Sequence, residues 1–371
     1  MKFTVKKNNI VDVLSNIQGL TGRKSNLAIT GNILLNATKD GIIITATDLE
    51  TGFEGFYPAA VESEGKVVIN ARKFYEIIRE FPINEILVSE IENRWIQIGN
   101  ENIEYHIVGM NPEDFPEIPQ MEGVDFFEMK SEPFRRMIEQ TTIIGSSDDK
   151  RAHIIGVYME KIETDDELTI RMVSTDGSRL TKVDFPFDKD TQINFTGKII
   201  VPKKGLSEVG KFLNSEHPIQ LGCKTNHFIV KKSSETIIIR LLEGEFPEYK
   251  EIIKKLKANI ITLDRQLFLM MLKRMSIFAS DSYKGVIFNL SEDKMMISST
   301  NPDIGESKEE MVIGFKGDPI EVAFNSRYFI ESLNVMDDEK IYLNIVDEEK
   351  PCLIEGETDK NYLSVIMPMR I

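Results

Sequence analysis

The chain opens "MKFTV", where Phe3 and Val5 alternate with polar neighbours, the period-two pattern of a half-buried strand. Ile10, Val13, Leu14 and Ile17 follow at helical spacing and predict one buried stripe of an amphipathic helix. The same succession comes twice more. "FFEM" leads into a helix opening at Ser131, a good N-cap with Pro133 in its first turn, and carrying Phe134, Met137 and Ile138. "IITL" leads into a helix opening at Asp264 and carrying Leu267, Met270, Met271 and Phe278 as its expected apolar face.

A second helix is predicted in each pass, at "NARKFYEIIREF", "VPKKGLSEVGKFL" and "FNSRYFIESLNVM". Strand-rich stretches end at "ITATDLETGFE", "RMVSTDGSRLT" and "MISSTNPDIGE", whose Thr47, Thr175 and Thr300 stand 128 and 125 residues apart. Each pass closes on a related run: "DFPEIP", "EFPEYK" and "IMPMRI". Repetition at a fixed period marks an architecture built from copies of one unit. The expectation is an α+β chain of three repeated domains, 1–122, 123–254 and 255–371, each with two helices and antiparallel sheets.

The formal net charge is −15, from 45 Lys+Arg against 60 Asp+Glu, which argues against a tight grip on nucleic acid. It does not exclude a basic face on an acidic molecule. Basic residues recur in five of the six predicted helices: Arg72, Lys73 and Arg79; Arg135 and Arg136; Lys203, Lys204 and Lys211; Lys273 and Arg274; and Arg327. They lie beside the apolar stripes, as a shared basic surface would require.

No stretch reaches the roughly 18 unbroken apolar residues of a membrane span, and the start lacks a signal peptide's apolar centre. Cys223 and Cys352 stand far apart without a spacing pattern, which fits a reducing, cytoplasmic setting. His106, His153, His217 and His227 show no metal-ligand spacing, so neither metal nor cofactor is expected. "STDGSR" brings Ser174, Asp176 and Ser178 together without a Gly-x-Ser-x-Gly elbow. Asp176 recurs as Asp48 and Asn301, which suits turns, because these side chains bond their own following backbone. With no Walker loop either, no catalytic residue is expected and the chain reads as no enzyme.

The apolar ending "YLSVIMPMRI" is unusual, since termini ordinarily fray into polar residues. Together with "MKFTV", "TATDLE", "NARKF", "TDGSRL", "VPKKG" and "GEFPEYK", in that order, its "MPMRI" makes the whole chain resemble the bacterial DNA polymerase III β subunits, the sliding-clamp family. The resemblance implies a head-to-tail homodimer closed as a ring, strands outside, with helices facing duplex DNA of any sequence. Twelve helices at ~9 Å spacing trace a circle about 34 Å across. Removing a helix radius of ~5 Å per side leaves about 24 Å. One chain's six would leave about 7 Å, less than the ~12 Å width of a major groove.

By matching positions, the implied DNA-facing residues are Arg23, Lys24, Arg72, Lys73, Arg136, Arg151, Lys203 and Lys204. The implied dimer contact sets Tyr105 and Ile107 of one chain against Ile277 and Phe278 of the other. A groove between the second and third domains is implied to hold linear motifs of the replicative polymerase subunit, the clamp loader and other clamp-motif proteins. Its positions here are Ile154, Thr175, Gly177, Ser178, Arg179, Leu180, Pro247, Ile252, Val365, Ile366, Met367, Pro368, Met369 and Arg370, with Arg179 and Arg370 expected to hold a peptide's polar ends. Ser178 stands where many relatives carry histidine, and Glu251 where they often carry arginine, which is expected to disfavour acidic peptides. The alternative is a repeat scaffold that binds proteins without encircling DNA.

Overall fold

The computed structural model describes residues 1–21, 28–119, 122–145, 151–165, 167–188, 191–193, 197–213, 217–254, 259–279 and 285–370. Arg23 and Lys24 therefore lie outside the described residues. The described residues form α+β architecture with six helices of nine residues or more: Lys7–Asn16, Ala71–Glu80, Ser131–Thr142, Lys203–Phe212, Arg265–Met275 and Ser326–Asn334. The helices expected to open at Ser131 and Asp264 begin at Ser131 and just after Asp264. Asn70, Asp264 and Asn325 accept from Lys73, Leu267 and Arg327 backbone N–H groups, satisfying donors that the helix itself leaves open.

The contacts divide the chain into two compact units, 1–135 with 191–196 and 204–241, and 136–190 with 197–203 and 242–371. The division cuts through the middle sequence repeat because that repeat gives its strands to two different sheets. In the first unit an eight-stranded antiparallel sheet runs in the order Gly65–Asn70, Asn32–Thr38, Gly41–Thr47, Thr51–Tyr57, Glu235–Arg240, His227–Lys232, Pro218–Lys224, Phe126–Lys130. Four strands of the first repeat meet four of the second, with Glu235 paired to Gly55 and Ile239 to Thr51.

The second unit repeats this plan with Lys198–Pro202, Gly156–Glu163, Leu168–Thr175 and Arg179–Phe187 joined to Tyr362–Ile366, Cys352–Gly356, Lys340–Ile345 and Asn259–Asp264. Its junction pairs Arg179 with Ile366 and Val183 with Tyr362. Two half-sheets remain. The first unit carries Glu104–Val108, Trp95–Gly99, Glu85–Glu90 and Lys2–Lys6, extended by Ala59–Ser63. The second unit carries Ile320–Asn325, Gly285–Ser291, Lys294–Asn301 and Gly305–Val312.

Helix burial follows the sequence pattern in the first two passes, with Ile10, Val13, Leu14, Phe134, Met137 and Ile138 all buried. The third pass corrects it. Leu267 and Met270 are exposed, 61% and 46%, whereas Phe268, Leu269, Met271, Leu272 and Met275 are buried. "LFLMML" is apolar around its whole circumference, so spacing alone cannot choose a face. Aromatic packing chooses it: Phe268 sits 6.1 Å from both Phe288 and Phe329, in edge-on geometry.

Candidate functional site

The turn after Leu168–Thr175 is built by its own side chains. Thr175 Oγ1 donates to the Arg179 carbonyl and accepts from Gly177 N–H, while Asp176 Oδ1 accepts from the Ser178 and Arg179 N–H groups. Gly177 has φ of +89°, a left-handed conformation that costs glycine little. The first repeat makes the same turn at Thr47–Thr51, with Leu49 at φ +76° in glycine's place. Asp48 and Asp176 thus do turn work in both copies.

The C-terminal tail leaves this turn and crosses the second unit. Met367 N–H donates to the Ser178 carbonyl at 2.9 Å, and Met369 N–H to the Ala323 carbonyl at 2.8 Å. Of the expected groove residues, Ile154, Leu180, Val365 and Ile366 are buried and act as its foundation. Gly177, Ser178, Pro247, Ile252, Met367 and Arg370 are exposed, with Pro368 and Met369 half-buried. Two hollows flank Met367. One, of about 350 Å³, is lined by Glu251, Ile252, Lys254, Asn344, Val346, Lys350, Pro351, Leu353 and Met367. The other, of about 740 Å³, is lined by Glu321, Val322, Ala323, Glu348, Glu349 and Met367 to Arg370. Lining from 321–323 and 344–353 was not foreseen. Only "EEKP", a charged run ending in proline, marks a turn there, and nothing in it points toward the tail.

Arg179 requires a correction. It is 7% exposed, pairs with Asp176 at 3.0 Å and Glu331 at 2.5 Å, and lies 4.2 Å over the Tyr328 ring. A guanidinium so engaged braces the groove and is not open to hold a peptide's end. Behind the wall, buried Tyr249 donates to Glu160, which also accepts from Tyr158 at 3.3 Å. Burial and the adjoining carboxylate hold both phenols well above the usual tyrosine range. Phe246 stacks on Tyr158 at 4.8 Å, so aromatic packing and one buried carboxylate fix the segment that presents Pro247 and Ile252.

The expected basic surface is present but muted. Arg72 and Lys73 are exposed, yet both reach Glu76, at 2.9 and 2.8 Å. Arg136 bonds Asp337, Lys204 bonds Asp48, and Arg151 is exposed. Lys203 is the second correction. It is 5% exposed, its Nζ donates to the Ile154 carbonyl at 2.5 Å, and burial pulls its ammonium pKa down to about 8. Its side chain is turned inward onto that carbonyl, so its ammonium is not open to DNA.

Residues 1–119, 128–248 and 250–370 match, in that order, the N-terminal, central and C-terminal domains of the DNA polymerase III beta subunit. The chain belongs to this family. Its role is that of a DNA sliding clamp, and its architecture is three clamp domains. It is 28% identical to the beta sliding clamp of Vibrio cholerae across all of both chains, and 27% identical to that of Chlamydia muridarum across 100% of this chain and 99% of the other. Among solved structures it shares the fold of the DNA polymerase III subunit beta of Pseudomonas aeruginosa, with TM-score 0.91, 24% identity and complete coverage of both. The clamp of Bartonella birtlesii, solved bound to griselimycin, matches at TM-score 0.93 and 24% identity, again over the whole of both chains.

Beside the unpaired ends of the two half-sheets, at Glu104–Val108 and near Gly305–Val312, the expected interface residues are accessible. On the Glu104–Val108 strand, Tyr105 is 40% exposed and Ile107 half-buried. After the Arg265–Met275 helix, Ile277 is 69% exposed and Phe278 half-buried. Among the described residues no helix is long and apolar enough to cross a membrane.

Proposed function

We propose that two copies of the chain join head to tail into a ring around duplex DNA in the bacterial cytoplasm, and that the ring tethers the replicative polymerase subunit, the clamp loader and other motif-bearing proteins without catalysing a reaction itself. The half-sheets carry this reading. Twice within the chain a half ending in a strand like Thr51–Tyr57 meets a half ending in one like Glu235–Arg240. The third such pair is split: Gly305–Val312 ends one half and Glu104–Val108 ends the other. Each presents unpaired backbone groups, a template for another strand. Two copies placed head to tail supply both missing junctions, leaving neither half-sheet without its partner half. Tyr105, Ile107, Ile277 and Phe278 flank those edges and are the proposed contact. The domain limits 1–122, 123–254 and 255–371 fit this exchange of halves.

Containment by topology also accounts for the muted charge. Cations already engaged by Glu76, Asp337 and Asp48 touch phosphates weakly and lose little as the ring moves. Arg72, Lys73, Arg136, Arg151 and Lys204 are the proposed DNA-facing set, reading backbone only. Equilibrium binding to short linear duplex should show a slope of log K against log salt no steeper than about −3, since each neutralised phosphate contributes about −0.9. A much steeper slope would mean a direct grip.

The peptide-docking site is proposed along the tail, where adaptable methionines suit varied guests. The test of the ring is retention. Clamps assembled on nicked circular duplex should stay through gel filtration, and linearising the DNA should release at least nine-tenths of them. Equal retention on both forms would mean a direct grip on DNA without encirclement, and none on either would favour a protein-binding scaffold.

A further inference from the structure

The two hollows beside Met367 differ in charge, and the difference is built by different elements. In the smaller hollow Glu251 is paired with Lys254 at 2.5 Å and faces Lys350, so the acid there is more than offset. Apart from the Asn344 amide, the rest of that hollow is apolar, from Ile252, Val346, Pro351, Leu353 and Met367. This also moves the expected discrimination against acidic peptides away from Glu251.

The larger hollow is acidic. Asp347 closes a tight turn by accepting from the Glu349 and Lys350 N–H groups, which leaves Glu348 and Glu349 exposed. Glu321 is exposed on the strand whose Ala323 pairs with Met369. None of these three carboxylates has an ion-pair partner among the described residues, and Arg370 is the single cation lining the hollow. Its floor is the apolar run Met367, Pro368 and Met369, so a ligand seated there meets hydrocarbon below and negative charge around it.

We propose that the groove selects linear peptides that place apolar side chains in the smaller hollow and a lysine or arginine in the larger one. The inference rests on the docking reading above and adds the partner's chemistry: an apolar anchor followed, across Met367, by positive charge. Both hollows share Met367, so one or two residues of extended peptide, at ~3.3 Å each, bridge them.

The test uses the full-length protein and fluorescein-labelled Leu-Phe-Gly-Lys-Lys, Leu-Phe-Gly-Gln-Gln and Leu-Phe-Gly-Glu-Glu, each also in reversed order, read by fluorescence anisotropy at low salt. In one of the two directions the lysine peptide should bind about fivefold tighter than the glutamine peptide, as two exposed ion pairs would give. The glutamate peptide should be weaker than both. The triple variant Glu321→Gln, Glu348→Gln, Glu349→Gln should bring lysine and glutamine peptides to within twofold. Salt of ~1 M should do the same by shortening the screening length to about 3 Å. Met367→Asp should abolish binding of all three. Equal affinities for lysine and glutamine peptides, with binding still lost in Met367→Asp, would overturn the charge selection and leave the docking site standing. Binding indifferent to Met367→Asp, or absent from the unmodified protein, would overturn both.

Discussion

Tyr105→Glu and Ile277→Glu, each alone, should convert a dimer of twice 42.4 kDa into a single chain of that mass at micromolar concentration, as measured by sedimentation velocity. Both residues are substantially exposed in one chain, so neither change opens a core. In the assembled ring the introduced carboxylate would be buried between two sheet edges. An unpaired buried charge costs roughly 3–5 kcal/mol. A closed ring contains the interface twice, so each substitution counts twice, enough to move dissociation by several powers of ten. Mixing Tyr105→Glu with Ile277→Lys chains should restore some dimer, because one of the two interfaces then holds opposite charges. Dimers that persist in both single variants would rule out this pair of edges, and with it the completion of the third sheet.

Much of the architecture could be read from spacing. Three copies of strand, helix and closing proline run are a linear signal, and the turn chemistry of Asp48 and Asp176 was readable because Asx turns are local. Exchange of half-sheets between neighbouring repeats was not readable, since pairing such as Ile238 with Gly52 joins residues far apart in sequence. The face of the Arg265–Met275 helix was misjudged where the sequence is apolar on every side and distant aromatics decide. Charge was misjudged for a related reason. Lys203 and Arg179 are ordinary surface residues by type, and only the fold shows one turned onto a carbonyl and the other clamped between carboxylates. The fourteen expected groove positions came from the family resemblance and not from spacing, and the walls at 321–323 and 344–353 come from segments brought there by the sheets.

The clamping of Arg179 makes it the position where a single substitution should most disturb the groove. Arg179→Ala leaves Asp176 and Glu331 facing each other with burial retained, and removing one member of such a set costs roughly 3–5 kcal/mol. Burial alone would raise the Glu331 pKa, but the hydrogen bonds from Arg327 and Arg179 outweigh it and hold the carboxyl below its ordinary value. A carboxyl depressed in the folded state stabilises the fold above its unfolded pKa, and that stability disappears as pH falls through the folded value. The gap between the parent protein and Arg179→Ala should therefore be widest near pH 7 and narrow below about pH 4, where unfolded glutamate takes up its proton. Because Arg179 opens the strand that pairs with Tyr362–Ile366, the loss should concentrate there. Amide exchange in 362–366 should quicken about a hundredfold or more at neutral pH, while Phe3 to Lys6, in the other compact unit, should keep its protection. Arg179→Lys should fall between the two, keeping charge but losing the planar fork that meets two carboxylates and lies on Tyr328. Uniform acceleration across both units, or a gap that does not change with pH, would show that Arg179 acts through packing and not through its charge.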